Sequence, residues 1–488
     1  MSPVLLFSVV IGYFLILLAV AWYTGKNSDN HSFFIGNKNS NWMLVAFGMV
    51  GTSLSGVTFV SVPGAVAKES FAYLQITIGY LIGYLMIAYV LLPLYYRLNL
   101  TSIYNYLSKR LGHRSYKTGS SFFILSRVLG ATARLYLVVN ILQEAILNSF
   151  NIPFWATTLI ILVMILLYTF EGGVKTIVYT DTLQTTCMLA GLVICVFYIL
   201  NQMNMGLGES LQVMSGKGYS KIFFSDPNSR FFFLKQIIAG AFITVTMTGM
   251  DQEMMQKNIS VKTLKDSQKN VVSMAIVLSA VIIIFLFLGG LLYLYADTLN
   301  VTVTGDKIFP TLALEHMPPY VSIIFIIALI SALFPSADGA ITALTSTFCI
   351  DILGIQRRTD LSQAAQKKIR QKVHLSFAAI FLLFVLVFKW IDDPSMIGLI
   401  LKIAAYTYGP LLGLFTFGIL TKKAVKDQWV PYVCIAAPAI CFFLDKYQKM
   451  IFGSFEIGLE LLIINGALTF TGLLLIAEKK PATAEALA

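Results

Sequence analysis

The sequence predicts an all-α polytopic membrane protein, about thirteen transmembrane helices in a single domain over residues 1–488. Charged residues make up 12% of the chain against 57% hydrophobic ones, and the mean hydropathy is +0.78. A soluble domain carries roughly 25% charged residues, so this chain has too little polar surface to face water on all sides. Apolar stretches of roughly 20 residues, long enough to cross a bilayer as helix, recur along the whole length with no polar block between them. The basic residues, finally, fall unevenly between alternate loops.

Taken in order, the apolar stretches lie near 3–24, 41–65, 74–97, 120–148, 154–170, 176–201, 231–252, 271–295, 319–350, 373–390, 396–421, 429–445 and 457–477. The first lacks a basic leader and a small-residue cleavage site, so it reads as a retained helix. With thirteen spans the termini face opposite sides. If the N-terminus is outside, about 23 basic residues fall on the inner side, among them Lys257 and the Arg357–Lys372 group, against about 8 outside. That asymmetry predicts an inner or plasma membrane protein with its N-terminus out and its C-terminus in the cytoplasm, and it accounts for the net charge of +11 without nucleic acid.

Five cysteines (Cys187, Cys195, Cys349, Cys434, Cys441) lie in or beside apolar segments without CxxC spacing, which reads as small buried hydrophobes rather than disulfides or a metal site. The histidines His31, His113, His316 and His374 fall in loops or at span ends. Neither a phosphate-binding GxxxxGK[ST] loop nor an HExxH or Ser/His/Asp arrangement is present, so nothing nominates an enzyme or a nucleotide-driven pump.

A charge at mid-bilayer costs on the order of 2.5–3.5 kcal/mol on insertion scales, so such residues face a cavity or a partner. Arg134, Asp181, Asp338 and Lys402 are the ones to explain. Asp181 follows Gly172 and Gly173 in EGGVKTIVYTDTLQ; Asp338 lies in FPSADGAITALTST, where Pro335 and Gly339 weaken the helix and expose carbonyl oxygens. Carboxylates among hydroxyls and freed carbonyls suit a dehydrated hard cation. The second span carries Gly48, Gly51 and Gly56 with Ser53, Ser55 and Thr58, and the seventh is interrupted at Thr246, Thr248 and Gly249. Glycine-interrupted spans in corresponding positions of two halves point to a transporter's midplane site. Spans 2–6 (residues 41–201) and 7–11 (residues 231–421) then form two five-helix units, and an odd number of spans per unit inverts one relative to the other.

The stretches SDNHSFFIGNKNSNWML, LTSIYNYLSKRLG, EGGVKTIVYTDTLQ, GMDQEMMQKNISVKTLKDSQKN and FPSADGAITALTSTFCID resemble the sodium:solute symporter family, which includes sodium–glucose, sodium–iodide, vitamin and sialic acid transporters. The resemblance implies a LeuT-type fold of two inverted five-helix repeats with alternating access to a central site. It implies Na+ as coupling ion, with Gly51, Leu54 and Ala332 as carbonyl donors and Ser336 as a hydroxyl donor. Pro335 departs from the family pattern, where a second hydroxyl often stands. The resemblance also places Asp181 at a further sodium site of some members, while Asp338 stands where a hydroxyl is usual and would bind sodium or a proton. On the substrate side it indicates Arg134 and Lys402, with Thr58 and Thr244 on the interrupted spans as hydroxyl partners.

Two cations near one cavity favour an anionic sugar or carboxylate. The expected function is sodium-coupled symport of a small organic solute, in a lipid bilayer and without nucleic acid. The alternatives are proton-coupled transport of a neutral sugar or polyol and, further off, a membrane sensor, for which the tail after residue 478 is too short.

Overall fold

Lipid offers the backbone no donor or acceptor, so long apolar runs close into helices that satisfy themselves. The computed structural model describes residues 3–25, 40–170, 173–358, 360–391, 393 and 395–478. His31, Gly172, residues 28–39 of the first family-like stretch and the tail beyond 478 lie outside the described residues.

The main helices are α1 (Pro3–Gly25), α2 (Trp42–Glu69), α3 (Tyr73–Arg97), α4 (His113–Ala145), α5 (Phe154–Thr169), α6 (Gly173–Gln202), α7 (Phe233–Gly249) and α8 (Gln252–Ile259). They continue with α9 (Leu264–Thr298), α10 (Pro319–Ile352), α11 (Gln363–Ile391), α12 (Met396–Thr407), α13 (Gly409–Leu420), α14 (Val430–Lys446) and α15 (Leu461–Leu475). Among the described residues, 9 helices are long and apolar enough to cross a membrane, or 11 when each bent pair, α7/α8 and α12/α13, counts as one span. The two remaining apolar stretches of the expected thirteen fold as the shorter helices α5 and α15. Helices α5 and α15, with 16 and 15 residues, rise only about 23–24 Å, short of a hydrocarbon core of roughly 30 Å.

Helix α2 lies at the centre, packed on α4, α6, α9 and α10, and α10 packs in turn on α4, α6 and α11. The approach of α6 to α2 needs glycine. A side chain on Gly48 would stand 3.0 Å from Asp181 Cβ, and one on Gly51 would overlap the Thr185 hydroxyl. Asp181 and Thr185 are four residues apart, on one face of α6.

Three spans are discontinuous. Helix α2 breaks at Ser55 (φ 51°, ψ 165°), one residue before the glycine that sequence nominates. Helices α7 and α8 meet at 66°, and α12 and α13 at 46°. The last break was not anticipated; Gly409 and Pro410 open α13, where proline's missing N–H is tolerated.

Sequence placed Lys257 in an inner loop and His374 in a loop or at a span end, and both placements are corrected. The run after Met250 is polar, yet it folds back as α8 with all eight residues buried. His374 is buried between Thr169 and Thr345, and Arg370 is buried one turn earlier.

The link between α9 and α10 is tied down at the end of α2. The Tyr293 hydroxyl donates to Gly64 O (2.5 Å) and accepts from Gly305 N (3.0 Å). Asp306 accepts the first free N–H of α12, Met396 N, at 3.1 Å. A helix N-terminus favours the carboxylate form, but burial outweighs it and pushes the carboxyl up to about 6, with Asp393 adding repulsion. A raised acid binds its proton more tightly in the folded chain, so its contribution is full below about pH 4 and is lost as pH rises through 6. Asp306→Asn should flatten thermal stability across that window and exceed the wild type at pH 7 by up to about 3 kcal/mol. Melting of the purified protein at stepped pH checks this; parallel profiles for the two proteins would refute it.

Candidate functional site

The α2 and α7/α8 breaks border a cavity of about 110 Å³ lined by Thr52, Leu54, Ser55 and Thr58 of α2, Tyr73, Tyr80 and Tyr84 of α3, Arg127 and Arg134 of α4, Thr244 and Thr248 of α7, and Ile397, Ile400 and Leu401 of α12. A second cavity of about 720 Å³ is bordered by Glu69, Arg230, Asp393, Lys402, Asp445 and Glu456. Tyr73, Ile397 and Leu401 line both, so three apolar or aromatic side chains form the partition.

The break at Ser55 strands the carbonyls of the preceding turn, because the last four C=O groups of a helix have no helical partner. Gly51 and Leu54 belong to that turn. A Cβ on Gly56 would stand 3.7 Å from Leu333 Cα, which brings the break against α10, where Ala332 and Ser336 are buried. The Ser336 hydroxyl donates to Leu333 O at 2.8 Å, leaving its oxygen lone pairs available. The four residues predicted for the first sodium site therefore come from two helices in contact.

At the α7/α8 break the stranded carbonyls find tyrosines. Tyr95 donates to Gly249 O (2.8 Å) and Tyr104 to Met250 O (2.9 Å). Asp251 caps α8 through Glu253 N (2.9 Å) and Met254 N (3.2 Å), and its other oxygen accepts from the Tyr408 hydroxyl at 2.7 Å. Tyr408 stands at the α12/α13 break, so one carboxylate joins two bent spans.

Around α8 lies a buried charge network that sequence reasoning missed. Arg127 pairs with Glu253 and lies 3.9 Å from Asp251. Lys257 Nζ donates to Asp181 Oδ2 (2.7 Å) and to Thr52 Oγ1 (2.8 Å), and stands 3.9 Å from Glu253. Asp338 accepts from the Tyr168 hydroxyl at 2.7 Å and from its own helix at Gly339 N. The available signal was Asp251, Glu253 and Lys257 at i, i+2 and i+6, a cap and an i,i+4 ion pair that mark a helix rather than a loop.

The predicted substrate residues separate. Arg134, Thr58 and Thr244 line the central cavity together. Lys402 borders the larger cavity, its side chain 57% exposed and 2.8 Å from Asp445. Arg127 and Arg134 are seven residues apart, two helical turns, and share a face. Arg127 is neutralised from α8, whereas Arg134 makes no ion pair among the described residues.

A membrane bundle of broken helices around a central cavity, without a nucleotide-binding loop, defines a secondary transporter. The model of the sodium:solute symporter family matches residues 33–427, and the chain belongs to that family. Its relatives include sodium-coupled monocarboxylate transporter 1 of Mus musculus, 25% identical over 87% of this chain and 69% of the relative. The sodium/sialic acid symporter SiaT of Proteus mirabilis is 23% identical over 89% of this chain and 88% of its own. Among solved structures, a substrate-bound outward-open sodium-coupled sialic acid symporter superposes with a TM-score of 0.83 at 19% identity, covering 97% of this chain and 99% of that one. Mhp1, a nucleobase-cation-symport-1 transporter, gives 0.60 at 14% identity over 92% and 95% of the two chains. The fold is thus an inverted-repeat helical bundle, and the protein is a sodium-coupled secondary active transporter of a small solute rather than an enzyme.

Removing one member of a buried pair leaves a charge uncompensated, at a typical cost of about 3–5 kcal/mol, whereas removing both is far milder. Glu253→Leu should therefore destabilise the protein strongly, and Arg127→Leu with Glu253→Leu should recover much of the loss. Thermal denaturation of the two single variants and the double tests it. Additive losses would mean that the pair does not act as one unit.

Proposed function

We propose that the chain is a symporter of sodium with a small organic anion, a carboxylate or an acidic sugar. One observation carries this reading: Arg134 reaches the central cavity beside Thr58 and Thr244 and makes no ion pair with a carboxylate among the described residues. A cation in that setting is best stabilised by an anionic ligand. The sialic acid and monocarboxylate relatives take solutes of the same class by their names. Lys402, next to Asp445 in the larger cavity, meets the anion before it passes the Tyr73–Ile397–Leu401 partition.

Sodium binds where the α2 break meets α10, held by the carbonyls of Gly51, Leu54 and Ala332 and the hydroxyl of Ser336. Asp181 of α6, hydrogen-bonded to Thr52, and Asp338 of α10 set the electrostatics beside that site. The repeats run over residues 41–201 and 231–421. Thirteen crossings, with α5 and α15 included, put the N-terminus outside and the C-terminus in the cytoplasm, as the loop charges favour.

Uptake into proteoliposomes should collapse when choline replaces external sodium at fixed pH; uptake that follows a proton gradient instead would favour the proton-coupled reading. Ser336→Ala should weaken sodium activation with little change in solute affinity at saturating sodium, as concentration series read by flux will show. Arg134→Gln should remove a charge-assisted hydrogen bond of about 1.5–3 kcal/mol, roughly 10- to 150-fold in affinity for an acid. A neutral analogue of the same solute should lose much less. Unchanged preference between acid and neutral analogue would rule out the anionic substrate.

A further inference from the structure

Sequence marks Asp181 and Asp338 as carboxylates for a second cation, and in the structure a cation of the chain itself stands at the first of them. Lys257 Nζ reaches Asp181 on α6 at 2.7 Å and Thr52 on α2 at 2.8 Å, with Glu253 on its own helix at 3.9 Å. Its side chain is 3% exposed. Asp338 on α10 lies within electrostatic range of both Asp181 and Lys257. The fit is built from several elements at once. Gly48 lets the Asp181 backbone close on α2, and Gly339 leaves room for the Glu253 carboxylate against α10. Helix α8 is held by its Asp251 cap and by Gln252, which accepts from Ile103 N (3.0 Å) and donates to Thr101 O (3.1 Å).

An ammonium and a sodium ion carry the same charge and seek the same oxygen ligands. With Lys257 seated, a free cation on the same Asp181 oxygen would meet a like charge at contact distance in a medium that screens poorly. We infer that Lys257 is a tethered cation that takes the second cation position between α2, α6 and α10, so that each transport cycle carries a single sodium ion, at the α2/α10 site. This rests on the sodium-symport reading and adds the stoichiometry to it. It also makes Lys257 a positioning residue for coupling: its ammonium holds Thr52, which lies between Gly51 and Leu54 in the turn of stranded carbonyls, without touching solute.

The test is a count of sodium ions on the full-length purified protein by equilibrium binding of radioactive sodium, paired with the sodium dependence of uptake. The wild type should bind one ion per chain and show a Hill coefficient near one. Lys257→Gln, which keeps a donor and loses the charge, should bind two ions with a Hill coefficient rising toward two. Adding Asp181→Asn to that variant should return the count to one, and Lys257→Arg should stay at one. Two ions on the wild type would overturn the inference and place the second on the other oxygen of Asp181, beside Thr185, where neither atom has a hydrogen-bond partner among the described residues. A folded Lys257→Gln that still binds one would overturn it too. Where Lys257→Gln does not fold, Lys257→Met is counted in its place, with two ions expected and one ion overturning the inference. Zero sodium would instead defeat the symport reading itself, a separate outcome.

Discussion

Two cations inside a bundle whose outer face is lipid must be neutralised from within, and that requirement organises the structure. Arg127 and Lys257 have side chains only 7% and 3% exposed. Their partners come from different parts of the chain: Glu253 and Asp251 from the polar half-helix α8, Asp181 from α6. Breaking one such pair costs far more than the pair contributes net, so the network acts chiefly as a selector of arrangement. An α8 rotated by one residue would carry Glu253 away from Arg127 and Lys257 away from Asp181 together. The apolar faces of α2, α6 and α10 specify their neighbours less sharply, since lipid is as good a solvent for leucine as another helix is.

The same network distinguishes the two arginines that line the central cavity. Arg127 and Arg134 share one face of α4 and line one cavity, yet among the described residues only Arg127 forms ion pairs. Helix α8 stops short of Arg134, whose surroundings are tyrosines, threonines and aliphatic side chains. In the proposed reading the position of the α8 cap divides the roles: the arginine beside the break is structural, and the one two turns beyond it is the solute's partner. The hydroxyls of Thr58 and Thr244 stand on opposite broken helices, so a solute bridging them would sense both halves of the bundle.

Sequence legibility followed the chemistry of each segment. The breaks in α2 and α7 were visible because glycines and hydroxyl residues interrupt otherwise apolar spans, although the α2 break falls on Ser55 and not on a glycine. The α12/α13 break was missed because a single Gly-Pro pair leaves hydropathy unchanged. Helix α8 was hidden for the opposite reason: DQEMMQKN is polar enough to read as loop, and only burial inside protein makes that composition consistent with helix. Lys257 was misplaced with it. Arg134 and Lys402 were paired because both lie in apolar spans, but Lys402 projects from the opposite side of α12 to Ile397 and toward Asp445. A hydropathy window averages over a helix and cannot say which cavity a residue borders.

Helix α12 shows how these parts meet. It carries Ile397 and Leu401 on the partition between the cavities, Lys402 on the outer side of that partition, and Tyr408 at its break. Its first N–H is held by Asp306 and its last turn by Asp251, through Met396 N and the Tyr408 hydroxyl. Both ends are thus fixed to carboxylates, while between them Ile397 and Leu401 face both cavities and Lys402 borders the larger one. The partition consequently hangs between two polar anchors, one in the link before α10 and one on the α8 cap that also faces Arg127. The anchor at Tyr408 joins the partition to the charge network, since the Asp251 carboxylate that accepts from Tyr408 also faces Arg127.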